Sequence, residues 1–174
     1  SVTLSWNWNK TPASQTLKKG AESYSIAASD KTKTISFSGP AALTTNTTFT
    51  LTATDARSAS DSQSTTIQFL NGRYYGIGNI TDPDECDNTF IQGLTKTLAS
   101  SRITSFNVTA GSGQYIFFAI PSSFGTPSFF VGGFEGGFDL FKTFSYTNPS
   151  GYAESYTVYK STNPNLGSTT VEVK

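Results

Sequence analysis

The chain has 174 residues, of which 14% are charged and 14% are aromatic, and its 12 basic and 12 acidic residues leave no formal net charge. This balance argues against a nucleic-acid partner, because binding to phosphates requires clustered Lys and Arg. Histidine is absent, so mechanisms that need a histidine base are excluded.

Three further features of the composition concern the compartment and the extent of the chain. Cys86 has no second cysteine to pair with inside the chain. It could pair between chains, but a reduced, buried or semi-buried thiol is expected. The sequence contains no apolar run of the roughly 18 residues that a membrane-spanning helix needs and no signal peptide, so no membrane insertion is expected. It lacks Met, which suggests a fragment of a longer protein, and it shows no cofactor motif.

The first 71 residues form short runs in which apolar and polar side chains alternate, as in strands with one buried face. Strands are predicted at residues 2–8, 24–28, 33–38, 47–54 and 64–70, with residues 17–20 as a short edge strand or loop and Gly39-Pro40 as a terminator. These short strands predict an immunoglobulin-like β-sandwich. Trp6 and Trp8 fit either a sugar-stacking pair or the core, and their alternating positions favour the core.

The sequence then continues without a flexible linker, so we predict two abutted domains, residues 1–71 and 72–174. Acidic residues cluster at the start of the second domain: Asp82, Asp84, Glu85 and Asp87. Their spacing does not match a helix-loop-helix calcium site. A solvated loop is predicted, with Asp87 or Asn88 capping the helix that follows.

One short helix is predicted near residues 88–100. Phe90, Ile91, Leu94 and Leu98 recur there at three- and four-residue spacing. The rest of the domain is predicted to be strands at residues 103–109, 115–120, 128–131, 138–146, 155–160 and 168–173. The fold class is therefore all-β, with two sandwich domains and one short helix in the second.

Two patterns within these strands are informative. Phe117 and Phe118 belong to a run that is apolar on both faces, which indicates a sandwich centre or a subunit interface. The same holds for Phe129 and Phe130. The four glycines at positions 132, 133, 136 and 137 permit positive φ angles or close backbone approach, as a bulge or a tight corner between sheets needs. A ligand loop is the alternative.

The candidate binding residues are tyrosines: Tyr146, Tyr152, Tyr156 and Tyr159, with Asn148 nearby in the sequence. Tyrosine rings can stack on the C–H groups of a sugar, while amides bind its hydroxyls, so this set predicts a glycan-binding surface. The alternative is that these tyrosines pack in the core or in an interface.

A series of glycine-aromatic segments extends through the second half of the chain. They are residues 69–76, 113–116, 119–121, 131–138, 156–163 and 166–168. In this order they resemble the C-terminal immunoglobulin-like and β-sandwich modules of tailed-bacteriophage structural proteins, found in tail fibres, baseplate appendages and head fibres.

That resemblance implies a non-enzymatic module on the surface of the virion, made in the host cytoplasm and carried on an extracellular particle. The implied partners are other virion proteins and a host-surface glycan, in the form of a polysaccharide. A homo-oligomer is also implied, with a trimer as the form known from phage fibres.

Two other functions fit parts of the sequence. A glycan-cleaving appendage enzyme would need paired carboxylates, for which Glu135 with Asp139 or Glu85 with Asp87 are candidates. A bacterial adhesin built from immunoglobulin-like repeats would share the strand pattern without any phage origin.

Overall fold

The computed structural model describes residues 1–37 and 43–174. The chain divides into two compact units, Ser1–Phe69 and Leu70–Lys174. Strands contain 54% of the described residues and helices 7%. The predicted all-β sandwich class with a short helix is confirmed.

The described residues of the first unit form two antiparallel sheets. Its strands are β1 (Val2–Ser5), β2 (Ser14–Lys19), β3 (Glu22–Tyr24), β4 (Thr32–Ile35), β5 (Thr47–Thr54) and β6 (Ser60–Ile67). Strand β1 pairs with β4, and the other sheet has the order β3-β2-β5-β6. Leu17, Ile35, Phe49 and Leu51 form the core of this unit. Burying these four side chains out of water is its main source of stability.

The strand predicted at residues 47–54 matches β5. The strands predicted at residues 2–8 and 24–28 are only partly correct, because β1 ends at Ser5 and β3 ends at Tyr24. The assignment of residues 17–20 to an edge or loop was wrong, because β2 lies between β3 and β5. Its inward positions are Leu17 and the polar Gln15, which is only 8% exposed. Because Gln15 is polar although it points inward, the sequence of β2 does not show the alternation of apolar and polar residues that is typical of a strand. Position 38 and the Gly39-Pro40 terminator lie outside the described residues.

Gln15 explains how both tryptophans are held against this core. Trp6 Nε1 and Trp8 Nε1 donate to Gln15 Oε1 at 3.0 and 3.1 Å. The Gln15 amide nitrogen donates in turn to the carbonyl oxygens of Ala27 and Asp30. One buried amide therefore satisfies two indoles and two backbone carbonyls, and the tryptophans pack against the core as predicted.

The second unit contains nine strands in two antiparallel sheets. They are β7 (Asn71–Gly78), β8 (Thr95–Ala99), β9 (Thr104–Ala110), β10 (Tyr115–Pro121), β11 (Phe129–Val131), β12 (Phe134–Glu135), β13 (Phe138–Thr147), β14 (Ala153–Ser161) and β15 (Gly167–Val173). The larger sheet has the order β13-β14-β10-β7-β8, and the smaller has the order β12-β11-β15-β9.

Strand β10 is the centre of the second unit, and its side chains supply two separate cores. Ile116, Phe118 and Ile120 pack with Phe106 and Val171 of the smaller sheet. On the other face, Phe117 and Ala119 pack with residues of α1 (Asn88–Gly93). Phe117 and Phe118 are fully buried within this unit, so the two-faced apolar run forms a sandwich centre.

The helix begins where the sequence predicted and ends earlier. Asp87 caps it, because its Oδ1 accepts a hydrogen bond from Phe90 N at 2.8 Å. The predicted extension to residue 100 is wrong: Thr95–Ala99 is strand β8, paired with β7. Leu98, assigned to the helix face, is 61% exposed on that strand. The β-branched Thr95 and Thr97 favour the extended chain that β7 stabilises.

The glycine-rich corner follows the prediction. Gly132 and Gly133 form the turn between β11 and β12 with φ angles of 58° and 87°, in the left-handed region that glycine adopts without strain. This turn and the next, at positions 136 and 137, return the chain from the smaller sheet to the larger one.

Candidate functional site

Strand register gathers tyrosines on one face of the larger sheet of the second unit. Tyr146 on β13 lies directly opposite Glu154 on β14, so both side chains point to the same face. Tyr156 is two residues further along β14 and shares that face. Tyr74 on β7 completes the group, and its hydroxyl lies 2.9 Å from that of Tyr146.

These side chains border a cavity of about 50 Å³, which we call the tyrosine cavity. Four of its lining residues are tyrosines: Tyr74, Tyr146, Tyr152 and Tyr156. Asn148, Glu154 and Lys96 also line it. The structure thus brings together four of the five predicted site residues, Tyr146, Asn148, Tyr152 and Tyr156, around one cavity.

Tyr159, the fifth predicted residue, lies on the opposite face of the sheet. It packs in the other core, where its ring centroid is 5.2 Å from that of Phe129. Its separation of three residues from Tyr156 places it there, because strand side chains alternate between faces.

Among the lining residues that sequence reasoning missed are Tyr74, Lys96 and Glu154. Glu154 lies midway between Tyr152 and Tyr156, and this two-residue spacing was a usable signal. Tyr74 comes from a strand more than 70 residues earlier, and no local pattern connects it to the site.

Glu154 is the one carboxylate of the described chain that lines the tyrosine cavity. Its Oε1 accepts a hydrogen bond from Ser123 Oγ at 3.3 Å, whereas its Oε2 is buried and has no hydrogen-bond partner among the described residues. Burial raises the pKa of Glu154, and the Ser123 hydrogen bond opposes this shift. Burial also raises the pKa of Tyr156 and of Tyr152, and the negative charge of Glu154 adds to both shifts.

The size of the tyrosine cavity limits what it can hold. Pockets for drug-sized ligands have volumes of roughly 300–1,000 Å³. Tyr146 and Tyr156 are almost fully buried, and the Tyr156 hydroxyl donates to the Gly72 carbonyl at 2.7 Å. A cavity of about 50 Å³ therefore accepts waters and does not enclose a saccharide ring.

A larger groove lies in the first unit, which we call the Trp8 groove. It has a volume of about 420 Å³. Its lining includes Asn7, Trp8, Asn9 and Lys10 on one side, and Asp55, Ser60, Asp61 and Gln63 from the β5–β6 hairpin on the other. Asp55 Oδ1 accepts hydrogen bonds from Arg57 N and Ala59 N at 2.8 and 2.9 Å, which fixes the hairpin loop.

A third depression, the hydroxyl groove, crosses the smaller sheet of the second unit and has a volume of about 710 Å³. Its polar lining residues are Asn107, Thr109, Ser168, Thr170 and Glu172. Thr109 Oγ1 and Ser168 Oγ are 2.9 Å apart, and Thr170 Oγ1 donates to Asn107 Oδ1 at 2.7 Å. Much of its hydrogen-bonding capacity is therefore used within the protein.

The carboxylate pairs considered for catalysis lie elsewhere. Glu135 and Asp139 are exposed on β12 and β13, and Asp87 caps α1. Glu85 closes a short 3₁₀ helix that Asp82 caps. None of these four carboxylates lines the tyrosine cavity or either groove.

Residues 1–37 and 43–174 contain neither a cluster of metal-binding side chains nor a helix that could span a membrane. No group of three or more Cys, Asp or Glu side chains there is arranged to hold a metal ion. None of the helices in these ranges has the length and apolar character needed to cross a membrane.

Comparison of the chain with protein-family models, with curated proteins and with solved structures finds no match in any of the three.

Proposed function

We propose that the chain is a non-enzymatic surface module of a bacteriophage virion that attaches to polysaccharide on the host cell. We place the saccharide contact in the Trp8 groove of the first unit. The phage assignment is supported by the glycine-aromatic segments of the second half, and the binding assignment by the chemistry of the groove.

The observation that carries the binding proposal is an aromatic residue held between hydrogen-bonding side chains. Trp8 is half-buried, and its indole nitrogen is held by Gln15, so the ring has a fixed orientation. A fixed indole offers apolar area for the C–H groups of a sugar at little entropic cost. Asn9 and Asp61 line the same groove and supply donors and acceptors for sugar hydroxyls.

The other two cavities fit a polysaccharide less well. The tyrosine cavity is too small, and the residues that line the hydroxyl groove include no aromatic side chain. The volume of the Trp8 groove lies within the range of roughly 300–1,000 Å³ that is typical of ligand sites. Size and aromatic character together favour the Trp8 groove.

Lys10 and the two aspartates give the groove both signs of charge. Attachment through such a groove is weak for one copy and becomes strong when several copies bind one polymer. A homo-oligomer on the virion, such as a trimer docked to other virion proteins, would supply that multivalency. Light scattering on the purified chain measures its oligomeric state directly.

The test uses tryptophan fluorescence, because the chain has only two tryptophans. In a Trp6→Phe protein, Trp8 is the only indole, and host-cell polysaccharide is expected to change its emission saturably and protect it from acrylamide quenching. Asn9→Ala and Asp61→Ala should each weaken binding about tenfold, which corresponds to about 1.4 kcal/mol. Asp139→Ala, in the second unit, is the matched control and should bind normally.

Three results would contradict the proposal. Absence of binding to surface polysaccharides by the folded chain would overturn the attachment function. Unchanged affinity in both Asn9→Ala and Asp61→Ala would remove the Trp8 groove as the contact. Release of reducing sugar ends from the bound polysaccharide would show that the module is an enzyme.

A further inference from the structure

Strand β6 turns polar side chains toward the core side of the first unit. Phe49 and Leu51 of β5 are core residues, and they lie directly opposite Thr65 and Gln63 of β6. Opposite residues of an antiparallel pair point to the same face of the sheet, so Thr65 and Gln63 also face inward. Both are nevertheless exposed to solvent. The inner face of β6 is therefore an open surface beside the core.

A pocket of about 130 Å³ opens on this surface, and we call it the Trp6 pocket. A cavity of about 150 Å³ lined by Leu, Ile and Phe side chains is large enough to bind benzene. The Trp6 pocket therefore has room for an apolar group somewhat smaller than benzene. Its apolar lining residues are Leu4, Trp6, Leu17, Phe49 and Leu51, and its polar lining residues are Ser5, Gln63, Ser64 and Thr65.

The Trp6 pocket adjoins the Trp8 groove, because Gln63 lines both of them. One group also orients both indoles, since Trp6 Nε1 and Trp8 Nε1 donate to the same Gln15 Oε1. Asp61 of the groove is two residues from Gln63 on β6, so the two share a face at a spacing of roughly 7 Å. One sugar residue with its substituent spans such a distance. A saccharide in the groove therefore reaches the pocket.

The amide of Gln63 is available to a ligand. Gln63 is exposed and makes no hydrogen bond to any other described residue. Gln15, on β2, differs in that both ends of its amide are used within the protein. A free glutamine amide offers two donors and one acceptor. Placed beside an apolar pocket, it suits a ligand group that has both an amide and an apolar end.

The polarity of β6 also distinguishes between two kinds of occupant. A β-strand laid over this face would bury the Asp61 carboxylate and the Gln63 amide against apolar side chains, and burying such groups without partners is costly. The hydroxyl groups of a saccharide can form hydrogen bonds with both. The inner face of β6 therefore favours a saccharide over a polypeptide strand.

We propose that the saccharide bound in the Trp8 groove carries an N-acetyl group, and that this group occupies the Trp6 pocket. This inference rests on the polysaccharide attachment proposed above. The acetyl methyl group contacts the apolar lining, which includes the half-buried ring of Trp6, and the amide of the substituent forms hydrogen bonds with Gln63. An unsubstituted hydroxyl group would leave the apolar lining in contact with water.

The first experiment is calorimetric titration of the whole chain with two tetrasaccharides of the same linkage, one of N-acetylglucosamine and one of glucose. The two ligands differ only in whether each sugar carries an acetamido group or a hydroxyl group. The N-acetylated tetramer is expected to bind with a dissociation constant of roughly 0.1–1 mM, and the glucose tetramer at least tenfold more weakly.

Two variants test the residues that would produce this preference. Gln63→Leu should weaken binding of the N-acetylated tetramer about fivefold, because the amide of the substituent loses its partner. Thr65→Tyr places a ring at the pocket and should reduce the preference for the N-acetylated tetramer to less than about threefold, on a strand that accepts aromatic residues. Gln68→Leu changes an exposed glutamine outside both sites and is the control, which should keep the full preference. Thermal unfolding checks that each variant is folded.

Saturation-transfer NMR locates the substituent directly. When protein signals are saturated, transfer to the N-acetyl methyl protons should exceed transfer to the ring protons of the sugar. Thr65→Tyr should abolish this difference. Methyl transfer that is no larger than ring transfer in the parent protein would place the substituent in solvent and overturn the proposal.

The failure of this inference is distinguishable from the failure of polysaccharide attachment. Equal affinity for the two tetramers, or no binding of the N-acetylated tetramer up to about 20 mM, overturns the N-acetyl inference. In either case, a saturable Trp8 fluorescence response to host-cell polysaccharide leaves the attachment function standing. Absence of that response as well overturns both. Binding of a synthetic peptide of alternating threonine and valine, without binding of the N-acetylated tetramer, would show that the surface accepts a β-strand and would contradict the inference.

Discussion

The hydroxyl oxygens of Tyr74 and Tyr146 lie 2.9 Å apart across the face of the larger sheet, on strands β7 and β13. Two strands, β14 and β10, separate them in the sheet order. Because the two residues are 72 positions apart in the sequence, this buried bond connects the beginning and the later part of the second unit. It also fixes two walls of the tyrosine cavity.

Removing one hydroxyl of this pair should destabilise the protein, because the other is left buried without its partner. We expect Tyr146→Phe to lower the free energy of unfolding by about 1–3 kcal/mol. The double variant Tyr74→Phe/Tyr146→Phe should lose less than the sum of the single losses, since neither hydroxyl is then orphaned. Urea unfolding of the four proteins measures this coupling, and strictly additive losses would argue against the bond.

Gln15→Leu should destabilise the first unit more than an ordinary surface change. The substitution keeps the side chain's bulk and leaves two indole N–H groups and two carbonyl oxygens without their partner. A loss of about 2–4 kcal/mol is expected. Gln63→Leu, at an exposed position of β6, is the control and should change stability by less than about 0.5 kcal/mol. Thermal unfolding followed by tryptophan fluorescence measures the stability of both variants. Equal unfolding midpoints for Gln15→Leu and Gln63→Leu would refute the role of Gln15.

Gly133→Val tests the backbone of the β11–β12 turn. A Cβ at this position meets nothing within 4 Å, so the cost arises from the φ angle of 87° alone. A β-branched residue there should lose about 1–3 kcal/mol, visible as a lower unfolding midpoint and poorer yield of folded protein. Gly93→Ala, in α1, is the contrasting change: its Cβ also has open space, and alanine should stabilise the helix by up to about 1 kcal/mol. An unchanged midpoint for Gly133→Val would contradict the strain argument.

The sequence predicted those elements whose pattern is local. Phe49 and Leu51 alternate with threonines, and the predicted strand 47–54 matches β5. The helix start was predicted because Asp87 caps it through a contact three residues away. The helix end was not, because β8 depends on pairing with β7, a partner about 20 residues away that periodicity does not reveal.

The candidate site shows the same limit. Tyr152 and Tyr156 share a face because of their even spacing, whereas the odd spacing to Tyr159 already placed that residue on the other face. Tyr74 joins the cavity only through the order of strands in the sheet, which residue spacing does not determine. The importance of Glu154 depends on its burial, and burial of a single carboxylate is a property of the folded chain.

The buried thiol of Cys86 should make the protein less stable at alkaline pH. The thiol is fully buried, and this burial raises its pKa from 9.0 to about 11, although the Lys142 ammonium opposes the shift. Between pH 9 and pH 11 the unfolded chain therefore releases a proton that the folded protein retains. The contribution of the thiol to the free energy of unfolding should therefore be constant below pH 9 and should decrease as the pH rises from 9 to 11.

Cys86→Ala removes this component. Tyr74 and Tyr156, whose pKa values burial also raises, continue to lower stability above about pH 10 in the variant. Urea unfolding between pH 7 and pH 11 gives the free energy of unfolding as a function of pH. For Cys86→Ala this free energy should be lower at every pH than in the parent protein, because a buried side chain has been shortened. It should also fall less steeply between pH 9 and pH 10. A curve parallel to that of the parent protein would show that the thiol titrates normally. The thiol itself offers a second measurement: it should react with a disulfide reagent at pH 8 only as fast as the protein unfolds, since the folded state keeps it protonated and inaccessible.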